Sequence, residues 1–238
     1  MLICDEVVKK YHSCVAVNHV NVRLDDGRIY ALLGPNGSGK TTLMKMIMGL
    51  IKPDSGNIVL DGCEISPETK ANIVYMPTEN YFYPYMCIKD VVNFYKDFYK
   101  DFNEQRLYDL MNMMGLRHED KIKTMSTGML AKLKVAVALS RDAKVIMLDE
   151  PLNGIDILAR EVIINSIIAN AGGGKTIVIS SHLVDELENV VSGALFMKSG
   201  EMVLAGDANQ IRESNQMTLV DLYKKVYGWG GMGYAQTY

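Results

Sequence analysis

No apolar stretch in this chain approaches the ~18 residues that a membrane-spanning helix requires. Any role at a membrane must therefore borrow its spanning part from another chain. There is no basic excess either. The 25 Lys and Arg are outweighed by 28 Asp and Glu, a formal net charge of -3 with a pI near 5.8, so the electrostatic footprint of a nucleic-acid binder is missing. Cysteine is scarce, with four in 238 residues. Cys4, Cys14, Cys63 and Cys87 form no CxxC pair, and His12 beside Cys14 lacks the second pair that a four-ligand metal site needs. Reduced thiols in a cytosolic protein are expected. The start Met1-Leu2-Ile3-Cys4 turns acidic at Asp5-Glu6, too early for a signal peptide. Internal repeats are absent as well.

Against these absences stands Gly34-Pro35-Asn36-Gly37-Ser38-Gly39-Lys40-Thr41-Thr42, a match to G-x-x-x-x-G-K-[ST]. The apolar run Ile29 to Leu33 before it predicts a buried strand. The run Leu43 to Leu50 after it predicts a helix with Leu43, Met46, Ile47 and Leu50 on one face. Strand, loop and helix thus occur in the order that a phosphate-binding loop requires. Glycines let the backbone wrap an anion with its N–H groups inward, and the helix N-terminus adds the positive end of its dipole. Lys40 is placed for the β- and γ-phosphates of a nucleotide and the Thr41 hydroxyl for Mg²⁺. A second G-K-T, at Gly174-Lys175-Thr176, is a decoy. Ala169 stands where its first glycine should be, and the segment enters a strand, so its glycines read as a helix stop.

Hydrophobic residues make up 48% of the chain, enough for a substantial core, and its 16 methionines read as flexible core filler. Residues 2–9, 20–24 and 58–60 predict strands around the loop, an antiparallel layer beside the nucleotide, and Ile73 to Met76 predicts a further strand ended by Pro77. From about Tyr85 to Ser140 the periodicity is helical. Val91, Val92, Tyr95, Phe98 and Phe102 share one face, and Leu107, Leu110, Met111 and Met114 another, stopped by Gly115; Met129 to Leu139 is a third helix. Val145 to Leu148 and Ile177 to Ile179 predict buried strands flanking a helix over Ile155 to Asn170. The expected fold class is α/β: a P-loop NTPase core with a parallel sheet, an N-terminal antiparallel β layer and an inserted α-helical subdomain at about 80–142. One nucleotide-binding domain over 1–227 and a Gly/Tyr-rich tail over 228–238 are expected.

Val145-Ile146-Met147-Leu148-Asp149-Glu150 ends a buried strand in two acids. Such a strand delivers carboxylates to the sheet edge where nucleotides bind. Asp149 suits Mg²⁺ and Glu150 suits a general base for an attacking water. With these residues in place, the chain resembles the nucleotide-binding subunits of ABC (ATP-binding cassette) transporters over nearly its whole length. Met125-Ser126-Thr127-Gly128-Met129 is similar to that family's signature, usually Leu-Ser-Gly-Gly-Gln, in the Ser-x-Gly-Met form of the ABC-2 type exporter branch. Asn153-Gly154-Ile155-Asp156 resembles the D-loop, Ile179-Ser180-Ser181-His182 the switch-histidine motif, and Tyr11 the A-loop aromatic that stacks on adenine.

The resemblance implies ATP and Mg²⁺ as cofactors and hydrolysis carried by Glu150, His182 and Lys40. It implies nucleotide contacts from Tyr11, from Gly34, Pro35, Asn36, Gly37, Ser38, Gly39, Lys40, Thr41 and Thr42, and from Ser126, Gly128 and Asp156; Thr41 and Asp149 hold the metal. It implies a head-to-tail dimer with a second copy or a related cassette, a transmembrane permease partner at the cytoplasmic face of the plasma membrane, and no nucleic acid. A soluble, non-transport ABC ATPase of DNA repair or of the ribosome is the alternative. DNA-repair members carry long coiled coils, and ribosomal members join two cassettes in one chain. One departure stands out: Tyr75-Met76-Pro77 is followed by Thr78 where the family usually carries Gln. Either Glu79 substitutes or one contact is lost. Finally, Tyr81-Phe82-Tyr83-Pro84-Tyr85-Met86 is expected to dock the membrane partner, or else to pack the helical subdomain on the core.

Overall fold

A computed structural model describes residues 1–228; the tail expected from Gly228 onward lies, beyond that residue, outside the described residues. Alternating valines build the first layer. Strands β1 (Leu2–Tyr11) and β2 (Cys14–Leu24) pair as an antiparallel hairpin closed at Tyr11 and Cys14. The hairpin is longer than the expected 20–24 suggests, because pairing with β1 recruits Val15 and Val17 as well. Strands β4 (Ser55–Leu60) and β5 (Cys63–Glu64) complete a four-stranded sheet in the order β2-β1-β4-β5.

The second sheet has the order β10-β9-β3-β8-β7-β6. Its strands β3 (Ile29–Leu33), β6 (Ile73–Met76), β7 (Val145–Asp149), β8 (Thr176–Ser181) and β9 (Gly193–Lys198) run parallel, and β10 (Glu201–Asp207) is an antiparallel edge. Both faces of this sheet are buried, which is why its strands read as continuous apolar runs. Successive residues alternate between two cores. Ala31, Leu33, Ile146, Leu148, Ile177 and Ile179 face the helices α5 (Thr127–Leu139) and α6 (Ile157–Asn170). Tyr30, Leu32, Val145, Met147 and Val178 face α1 (Lys40–Ile47) and the antiparallel layer.

Helix α1 stops at Ile47. Leu50, expected on its buried face, therefore lies past the end and is 62% exposed. Between β4 and β7 come α2 (Pro67–Lys70), then α3 (Ile88–Phe98), α4 (Glu104–Met114) and α5. Phe102 falls beyond α3, and Phe98 is exposed, so the buried face of α3 is Ile88, Val91 and Val92. Helix α5 starts two residues before the expected Met129 because Ser126 caps it, its hydroxyl accepting the Met129 N–H. Short α7 (Val184–Leu187) precedes β9, and α8 (Ala208–Asn215) and α9 (Leu219–Tyr227) follow β10. Among the described residues no helix is long and apolar enough to cross a membrane.

Candidate active site

The loop between β3 and α1 is walled on two sides by backbone. A Cβ at Gly34 would sit 2.4 Å from the Met197 carbonyl oxygen, and one at Gly39, where φ is 106°, would sit 2.3 Å from that of Ala16. Both positions exclude any side chain. The turn between β9 and β10 holds the loop from outside, its Gly200 N–H donating to the Ser38 carbonyl at 2.9 Å. The Lys40 ammonium is 5% exposed and donates to the carbonyls of Gly34 and Pro35 at 2.7 and 3.2 Å.

The acidic end of β7 lies directly beside this loop. Asp149 is fully buried and accepts three hydroxyls: Thr41 at 2.8 Å and Tyr75 at 3.0 Å on Oδ2, and Ser180 at 2.6 Å on Oδ1. Burial, with the Asp149 charge next to it, raises the Tyr75 phenol well above its ordinary range, so Tyr75 stays a donor. Glu150 follows in a left-handed conformation, φ 49°, unusual for a non-glycine residue. This turn is fixed by its own N–H, which donates to Ser180 Oγ at 2.9 Å. It aims the carboxylate between two partners. Oε2 meets His182 Nδ1 at 3.0 Å, while Oε1 lies 3.3 Å from the Lys40 ammonium without making a hydrogen bond.

A cleft of about 730 Å³ opens over the loop, lined by residues 36–42, Thr78, Glu150, Asn153, Ser199 and the Cys14–Ala16 end of β2. Its size suits a nucleotide. Two buried oxygens there, Ser38 Oγ and Glu150 Oε1, have no hydrogen-bond partner among the described residues, which fits a ligand that brings polar atoms. The Thr41 hydroxyl and the Asp149 carboxylate sit side by side, a hard oxygen pair that fits Mg²⁺.

Other expected residues lie elsewhere. Tyr11, at the end of β1, is 41% exposed, rests near the Lys9 ammonium and does not line the cleft. Ser126, Gly128 and Asp156 gather at the starts of α5 and α6, outside the lining of this cleft. A Cβ at Gly128 would be 3.6 Å from the Asp156 carboxylate, which the Ala159 backbone N–H holds below its ordinary carboxylate range. Next to them Ile157 and Leu158 are each 74% exposed. The aromatic segment divides: Phe82 is buried, whereas Tyr83 and Tyr85 are exposed and stack on one another at 5.4 Å. Sequence reasoning passed over Tyr75 and Ser180 as site residues although both stand inside motifs it used. Lys134, in the helix expected over Met129 to Leu139, is buried.

Residues 17–153 match the family model described as ABC transporter. The chain is 32% identical over 206 residues to the lantibiotic transport ATP-binding protein SrtF of Streptococcus pyogenes, covering 86% of this chain and 90% of SrtF. Among solved structures, a likeness with TM-score 0.86 and 24% identity relates it to an ATP-binding subunit of an ABC transporter, over 95% of this chain and 99% of that one. Another, with TM-score 0.78 and 21% identity, relates it to the dimeric bacterial ABC transporter cassette MJ0796, over 87% and 98%. At these identities the structural likeness is one of fold.

Proposed function

The chain belongs to the ABC transporter family of ATPases, and on that premise we propose that it hydrolyses ATP to drive a separate membrane-spanning exporter. One observation carries this most: Glu150, turned by a strained backbone, stands between Lys40 and His182 at the rim of the phosphate loop. The residues 34–42 hold the phosphates through backbone N–H groups and Lys40. Thr41 and Asp149 would hold Mg²⁺, which supplies charge neutralisation on the phosphates when bound. Glu150 takes the proton of the attacking water, and His182 fixes the orientation of its carboxylate.

The whole of 1–227 acts as one nucleotide-binding domain, with the helical segment at about 80–142 as an insertion between β6 and β7. Ser126, Gly128 and Asp156 serve the nucleotide of a second, head-to-tail copy. Their place outside the lining of their own chain's cleft supports this, as does the exposed apolar pair Ile157 and Leu158 beside them. Tyr11, paired with Cys14 at the end of β2 that lines the cleft, stacks on adenine. The membrane partner docks on the segment Tyr81 to Met86, where Tyr83 and Tyr85 are exposed and stacked. The protein then sits at the cytoplasmic face of the plasma membrane.

Glu150→Gln tests the assignment. The amide keeps size and hydrogen bonding but accepts no proton, so turnover should fall by roughly 10²–10⁴ with ATP binding retained. A variant that hydrolyses ATP at the wild-type rate contradicts it.

A further inference from the structure

Among the described residues two lysines are buried, Lys40 and Lys134. Lys40 has phosphates to explain it. Lys134 is 6% exposed, sits mid-helix in α5 among the buried Leu133, Val135 and Val137, and has no carboxylate within ion-pair distance among the described residues. A buried ammonium is costly without partners. A methionine would fill the same space without that cost. The side chain spends its charge on one acceptor, donating to the Thr78 carbonyl at 2.7 Å, with the Tyr81 ring 5.9 Å away. Thr78 in turn donates through Oγ1 to the Asp149 carbonyl at 3.3 Å. A small cleft of about 160 Å³ joins Lys134, Thr78 and Glu150 to Thr127 at the start of the same helix.

We propose that Lys134 is a positioning residue that ties helix α5, and the Ser126–Gly128 turn that begins it, to the Asp149–Glu150 end of β7 through the Thr78 backbone. The inference rests on the ATPase function proposed above and adds a route by which one site senses the other. Lys134 lies about two turns into α5 from Ser126, on a helix that packs directly against β6 and β7. When the Ser126–Gly128 turn meets a phosphate held by the second copy, a shift of α5 moves Thr78 and reaches the general base. Thr78 lacks the reach of the longer amide expected at this position, and the lysine on α5 closes the gap from the opposite side. The phosphates are held by residues 34–42, which Lys134 does not touch, so its loss should cost rate rather than binding.

Lys134→Met removes the donor while keeping the side chain's length, and Thr78→Ala cuts the next link. Both are measured singly and combined, by steady-state hydrolysis, by MgATP titration calorimetry, and by amide exchange of residues 78–81 in nucleotide-free protein. Lys134→Met should lower kcat by about 10- to 100-fold, the scale of a small misplacement near the reacting atoms. MgATP affinity should stay within about twofold, and amides 78–81 should exchange faster. Because the two links are in series, the double variant should fall no more than about threefold below the worse single variant. Thr78→Ala carries the test by its own kcat and exchange if Lys134→Met does not fold. Wild-type kcat in both single variants, or losses that multiply independently, overturn the link. A wild-type chain without ATPase activity overturns the proposed function instead.

Discussion

Glu150 shows how much of the site one backbone angle decides. In an ordinary extended conformation its side chain would not fall between Lys40 and His182. The φ of 49° costs of order 1–3 kcal/mol and is held by Ser180, which also binds Asp149. Ser180→Ala should therefore free both acids at once. The expected result is a loss of about 1–3 kcal/mol in stability from the orphaned buried groups, read by urea denaturation, together with a drop in kcat that exceeds any change in ATP affinity. Lys40→Ala should weaken MgATP binding and stop turnover, since the charge on the phosphates is lost; unchanged affinity by calorimetry would contradict its role. Lys134 carries a pH signature. Burial lowers its pKa from 10.5 to about 8, so the fold disfavours the charged form. That cost is full below about pH 8 and fades as pH rises toward 10.5. Wild type should accordingly gain stability relative to Lys134→Met between pH 8 and 10.5, in paired melts; a constant difference would count against a desolvated ammonium. The phosphate loop and the acids of β7 were legible because type and order of residues alone define them. Ser180 and Lys134 were not, because their partners are distant in sequence: Glu150 and Asp149 for one, the Thr78 backbone for the other.

At the scale of elements, the continuous apolar runs of β3, β7 and β8 announced strands buried on both faces, and Ile73 to Met76 was read to the residue. The hairpin of β9 and β10 escaped, although Ser199-Gly200 at its turn, both with positive φ, is a two-residue hairpin signal between Lys198 and Glu201. Helix ends were misplaced where a cap overrode periodicity, as at Ser126. The last helix also reaches the site. The single proton of the Tyr227 hydroxyl is shared between the carbonyls of Leu33 and Met197, at 3.1 and 3.0 Å, pinning α9 to the strand end that feeds the phosphate loop. Tyr227→Phe should cost about 1–3 kcal/mol for the lost donor, seen as a lower denaturation midpoint with an unchanged slope. The exposed pair Tyr83 and Tyr85 sits at the entry to α3. Changing both to Asp should leave a folded subunit with near-normal basal ATPase that no longer co-purifies with its membrane partner; unfolding on its own would make them core residues instead.

For the whole molecule, we propose that ATP is hydrolysed in a site completed by a second copy. Among the described residues Ser126 and Gly128 do not line the cleft over the phosphate loop of their own chain, and the exposed Ile157 and Leu158 beside that turn call for a partner surface. The most direct measurement mixes two inactive variants. Lys40→Ala spoils the phosphate loop and keeps the turn; Gly128→Asp places a carboxylate where the partner's phosphate must approach and keeps the loop. Each alone should be nearly inert. In a head-to-tail mixed dimer, the intact loop of one copy meets the intact turn of the other, and ATPase activity should reappear on mixing, saturating at a fraction of the wild-type rate. Activity that stays at the level of the separate variants, with mixed dimers demonstrated in the sample, would contradict the shared site.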